Sequence, residues 1–143
     1  MAAKMYGLFL KSLANKEIDL DTDAIKAMLC TSSYTPDQDT HQYKSSVTNE
    51  VTGAGYTATG QALTGVAVTY TAGTNVLMFD ATDPSWAAST ITARYIVFYD
   101  SSPATDATRP LIAYDDFVTD QISSNGTFTY TCNAAGIVTI TAA

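Results

Sequence analysis

The chain has 143 residues and a mass of 15.2 kDa, enough for one domain and too short for two of full size. Hydrophobic residues make up 46% and charged residues 15%, with a mean hydropathy of +0.04, which excludes an intrinsically disordered chain. Seven basic residues against fourteen acidic ones leave a net charge of −7, and so acidic a surface repels phosphate backbones, so nucleic acid is not an expected partner.

In chain order, Tyr6, Phe9, Leu10 and Leu13 stand at helical spacing and predict one short amphipathic helix over residues 6–15. Lys4 followed by Met5–Leu10 has the outline of a signal sequence, but Lys11 interrupts the apolar run, and the segment reads as mature protein. From Ala24 to Thr31, Ile25, Ala27 and Leu29 alternate with Lys26, Met28 and Cys30 as in a strand. Residues 32–60 are polar and aperiodic and read as a long excursion that carries function or wraps a neighbour.

The remainder predicts short strands. Ala62, Val66, Val68 and Tyr70 are expected on one face of a strand from Gln61 to Tyr70, followed by a turn over residues 71–75 and a strand from Val76 to Asp80. Thr90–Tyr99 ends in Tyr95-Ile96-Val97-Phe98-Tyr99, apolar on both faces, and predicts a central strand covered on both sides. Leu111–Val118 is the next strand. Asn125-Gly126 predicts a tight hairpin turn, leading into a strand with Phe128, Tyr130 and Cys132 opposite Thr127, Thr129 and Thr131, then a turn at Asn133–Gly136 and a last strand from Ile137 to Thr141. The expected fold is therefore mainly β, an antiparallel β-sandwich or small barrel with one N-terminal helix, in a single domain spanning residues 1–143. Threonine, about 16% of the chain, suits pleated surfaces and keeps them wettable with few charges.

The candidate chemistry is sparse. Asp19-Leu-Asp21-Thr-Asp23 begins like a calcium loop, but Ala24 and Cys30 stand where the loop needs glycine and glutamate, so it reads as a solvated connection. Asp37, Asp39 and His41 form a compact triplet without a second cluster to complete a metal shell; Asp37 is expected to cap a turn after Pro36. Gly53-Ala-Gly55-Tyr-Thr-Ala58 matches the relaxed dinucleotide pattern without the strand and helix that pattern requires, and reads as a flexible turn. Asp115 and Asp116 adjoin on a strand and should point to opposite faces. Asn125-Gly-Thr127 fits a glycosylation acceptor and reads instead as the hairpin turn. Trp86 is placed in a turn-rich stretch, over the core or against a sugar. Cys30 and Cys132 are expected as buried thiols, a mutual disulfide being the alternative. With one histidine and no catalytic motif, no enzyme, cofactor or metal site is expected, and no apolar run reaches the roughly 20 residues of a membrane span.

The succession Asp21-Thr-Asp-Ala-Ile25-Lys26, Ser33-Tyr34-Thr35-Pro36-Asp37-Gln38-Asp39-Thr40-His41, and Gly55-Tyr56-Thr57 with Leu63-Thr64-Gly65 resembles a widespread family of small tailed-bacteriophage virion structural proteins. Ala93-Arg94-Tyr95, Tyr99-Asp100 and Pro110-Leu111-Ile112-Ala113-Tyr114 extend the resemblance over nearly the whole chain. It implies a virion component assembled in the host cytoplasm and supplies no catalytic residues. Within that class a capsid decoration (cement) protein on the major capsid protein, homo-oligomeric and trimeric, is expected. The charge balance fits: the first 44 residues hold five lysines and six acids, a balance of −1, and the other 99 hold two arginines and eight acids, −6. A head-tail connector, tail or fibre-associated subunit is the alternative, and a carbohydrate-binding adsorption module the third reading.

Overall fold

Two antiparallel sheets and one short helix make up the computed structural model, which describes residues 2–143. The elements are β1 (Lys4–Met5), α1 (Gly7–Ala14), β2 (Ile25–Cys30), a 3₁₀ turn (Lys44–Ser46), β3 (Gln61–Ala62), β4 (Ala67–Thr71), β5 (Val76–Asp80), β6 (Ser85–Asp100), β7 (Leu111–Thr129) and β8 (Val138–Thr141). One sheet has the order β1-β7-β6-β2-β3 and the other β4-β5-β8; the arrangement is sandwich-like, and neither sheet closes into a barrel.

The helix buries Phe9 and Ser12, and Tyr6 just before it is buried with its ring 4.9 Å from that of Tyr114. As the apolar run predicts, Ile96–Tyr99 of β6 are buried on both faces, between β2 and β7. In the second sheet, Phe79 and Val138 are buried while most of β4 is exposed.

The β6–β7 ribbon decides the architecture. Residues Pro84 and Phe98 would lie about 45 Å apart along a straight strand. Yet Tyr130, whose N–H donates to Pro84 O at 3.0 Å, has its ring 5.8 Å from that of Phe98. The ribbon doubles back, and its distal half covers its own base. The bends are bulges, visible as register shifts: Trp86 pairs with Phe128 and Ser89 with Gly126, then Ile91 with Ser123, then Ala93 with Gln121 and Tyr95 with Asp116. Ala88, Asn125 and Val118, at φ 49°, 48° and 68°, sit in these three intervals. Short polar side chains take up backbone groups the bulges release. Ser123 Oγ accepts from Ile91 N at 3.3 Å, Thr90 Oγ1 from Asn125 N at 2.9 Å, and Asp116 Oδ1 from Val118 N at 2.7 Å.

The expected hairpin at Asn125-Gly126 is therefore replaced by a bulge within β7. Asn-Gly supplies the positive φ at Asn125 either way, and the pairing of both flanks with β6 prevents them from pairing with each other. The expected strand over Gln61–Tyr70 is also two strands. Gly65 adopts φ 61° against Thr82, breaking the run so that β3 joins one sheet and β4 the other, and Tyr70 is exposed. Trp86 lies in β6, not a turn.

Candidate functional site

The polar excursion over residues 32–60 wraps its own chain. Thr31 N donates to Asn49 O and Val51 N to Leu29 O, both at 2.9 Å, so the segment returns along β2. Glu50 accepts from Tyr56 Oη at 2.7 Å and from Thr59 N at 2.6 Å. Lys44, buried in the 3₁₀ turn, donates to Asp106 at 2.8 Å and sits 5.6 Å from the Tyr99 ring centroid. The hydrogen bond from Lys44 holds the Asp106 carboxyl below its ordinary range, with Arg109 adding to the effect.

Asp37 Oδ1 accepts from the N–H groups of Asp39 and Thr40 at 3.0 Å, the expected cap. Hydrogen bonds from Thr40 are the first cause of its lowered pKa. His41 Nδ1 accepts from Asp37 N at 3.4 Å and meets Tyr34 Oη at 3.1 Å, and Tyr34 Oη in turn meets Tyr6 Oη at 2.9 Å. Burial pushes the Tyr34 phenol up to about 12. His41, through Tyr34, thus ties the excursion to Tyr6 at the start of α1.

The other candidates disperse. Asp19 Oδ1 accepts from Asp21 N at 3.0 Å, and Asp23 Oδ2 from Asp19 N at 2.6 Å, inside the connection between α1 and β2. Asp115 and Asp116 do point apart: buried Asp115 accepts from Tyr130 Oη at 2.9 Å, while Asp116 pairs with Arg94. Gly53 and Gly55 are close-approach positions. Gly55, at φ 76°, lies where a Cβ would meet Ser89 Cα at 2.6 Å, and Ala54 bridges Thr90, so the segment is clamped to β6 instead of free to flex. Trp86, 5% exposed, lies between the rings of Tyr56 and Phe128, at 6.1 and 6.0 Å, and offers no free face to a sugar. Cys30 and Cys132 are both free thiols, Cys132 only half-buried; burial pushes each up to about 12, which favours the protonated form at neutral pH. Among the described residues no three His, Cys, Asp or Glu side chains are grouped to hold a metal ion, and no helix is long and apolar enough to cross a membrane.

No family model, curated protein or solved structure matches this chain.

Residues 2–16 contain Lys4, Lys11 and Lys16 and no acid, all three lysines exposed, with Leu10 44% exposed beside Lys11 on the outer face of α1. The other basic residues are engaged: Lys26 donates to Thr59 at 3.0 Å, and Lys44, Arg94 and Arg109 form ion pairs. Sequence patterning placed Leu10 on the buried face with Phe9. An eight-residue helix buries only a narrow stripe, and Phe9 and Ser12 occupy it.

Proposed function

We propose that the protein is a structural component of a tailed-phage virion, and within that class a capsid decoration protein that binds the outside of the head lattice. The observation that carries this reading is the charge division. The one stretch with free lysines and no acid, β1 with α1, also exposes an apolar side chain, while the body of the molecule is acidic. Such a face suits an acidic partner surface with an apolar hollow, and it leaves the acidic body turned to solvent. The resemblance to phage virion proteins supplies the class; the charge division supplies the orientation. The chain acts as a homo-oligomer, a trimer in this reading, and transforms no substrate.

The test is the composition of purified particles. Quantitative gels of intact heads should show hundreds of copies, released by raised salt and lost in a Lys4→Glu, Lys11→Glu double variant. A count of a few to a few dozen copies would transfer the protein to a connector, tail or fibre position, and its absence from intact particles would overturn the virion reading altogether.

A further inference from the structure

The two most exposed large apolar side chains, Val118 at 69% and Ile122 at 72%, lie four residues apart on β7. The same strand has an open edge. On the side away from β6, its only strand neighbour among the described residues is β1, paired at Ala113 and Tyr114, so Asp115–Thr129 has none there. Along this distal stretch runs an open groove of about 440 Å³ whose lining includes Ile122, Thr127 and Thr129 and the buried rings of Phe117 and Phe128.

An uncovered edge presents unpaired backbone groups to any extended segment, and proteins commonly block such edges with lysine, proline or bulges. β7 contains neither lysine nor proline from Leu111 to Thr129. Its bulges interrupt the row, which opposes endless fibre-like stacking, but Gln121–Ser123 and Gly126–Thr129 remain regular enough to pair with β6 on their other side.

Charge identifies the occupant. From Phe117 to Thr131 the only charged residue is Asp120, on a chain of net charge −7. Two copies repel through most of their surfaces and least through this stripe. A charged partner, by contrast, finds nothing here to select it. The stripe also carries both an apolar rim, Val118 and Ile122, and a groove with aromatic walls, so it is complementary to itself. We infer that the distal half of β7 is a homotypic interface, in which the Val118–Ile122 rim of one copy seats in the β7 groove of another. The inference rests on the homo-oligomer of the proposed function and gives it a surface; attachment to the head, through the lysine-bearing face, uses a different surface and is tested separately on particles.

Light scattering on the purified chain tests it. Wild type at roughly 100 µM should give a mass that is a multiple of 15.2 kDa, and Ile122→Glu or Val118→Lys should return it to 15.2 kDa with at least a tenfold weaker association and an unchanged circular-dichroism spectrum. Both side chains are exposed, so the fold tolerates the changes. Leu10→Asp, on the helix, should leave the mass of the oligomer unaltered. As a second measurement, an Ile122→Cys variant treated with a short thiol-specific crosslinker should give a covalent multimer. A monomeric wild type, or an oligomer indifferent to both β7 substitutions and refractory to that crosslinking, would overturn the interface.

Discussion

Tyr130 Oη donates to the Asp115 carboxylate at 2.9 Å, joining the residue just after β7 to the fifth residue of that strand, fifteen positions away. A straight strand would hold them about 50 Å apart. The bond is the clasp of the doubled-back ribbon, and Asp115, 5% exposed, has little water to replace it.

Tyr130→Phe should therefore destabilise the protein by about 1–3 kcal/mol, the cost of leaving a buried acceptor without its donor. Urea denaturation measures this. Adding Asp115→Asn should recover part of the loss, because the neutral amide is cheaper to leave unpaired than the carboxylate. Equal losses from the single and double variants would show that the clasp contributes through packing alone.

At Ala88 a β-carbon is held at φ 49°, in the left-handed region. Ala88→Gly should raise the urea midpoint, by about 0.5–1 kcal/mol in stability, since glycine relieves the strain of the bulge. The opposite change at the companion bulge, Asn125→Val at φ 48°, should cost about 1–3 kcal/mol, because a β-branched residue tolerates that conformation worst.

Asp100 gives a stability term of unusual sign. It is wholly buried; Oδ1 accepts from Ser102 N at 2.8 Å, and Oδ2 has no hydrogen-bond partner. Burial first, then the neighbouring Asp23 carboxylate, raises its pKa. A raised folded-state pKa means the folded protein holds this proton more tightly than the unfolded chain. The contribution is therefore complete below about pH 4 and is lost as pH rises through the raised value. Asp100→Asn should increase the melting temperature relative to wild type at pH 7, and the gap should narrow on acidification toward pH 4. Asp106 and Asp116, whose pKa values are lowered, act in the opposite direction in both proteins and cancel from the difference.

Lys44→Ala should loosen the excursion before it unfolds the domain. The variant loses the 2.8 Å pair to half-exposed Asp106 and the contact with the Tyr99 ring, together about 1 kcal/mol. Hydrogen exchange should accelerate first at Ser45 and Val47, whose N–H groups bind Asp106 O and Lys44 O at 2.9 Å, while exchange in β6 stays slow.

Trp86→Ala should cost about 3–5 kcal/mol and abolish cooperative unfolding at moderate temperature, as expected for a buried aromatic between two rings. Any loss of sugar binding in this variant would report unfolding; a thermal melt of the same sample separates the two.

Where a periodic signal is decided by near neighbours, the elements were legible in advance. The helix expected over residues 6–15 is α1 at Gly7–Ala14, Val76–Asp80 is β5 at the same bounds, and the two-faced apolar run at Tyr95–Tyr99 lies in the buried centre of the first sheet. Asp37 caps its turn because an aspartate two and three residues before free N–H groups acts locally. Asn125-Gly126 marks the limit of such reasoning. The dipeptide demands a positive φ, which both a hairpin turn and a bulge satisfy, and only the partner strand distinguishes them. The strand expected over Gln61–Tyr70 and the turn expected at Trp86 fail for the same reason: Gly65 is set against Thr82 and Trp86 is paired with Phe128, both distant in the chain.

Backbone preference and charge, carried residue by residue, make the mainly β character, the one helix, the acidic body and the lysine-bearing first segment readable from the amino acids alone. The return of two long strands over their own base, the anchoring of the excursion and the exposure of Val118 and Ile122 on an uncovered edge are visible only in the fold. Those outcomes depend on contacts between residues far apart in the chain, where many pairings satisfy the same local pattern and burial of the shared core selects among them.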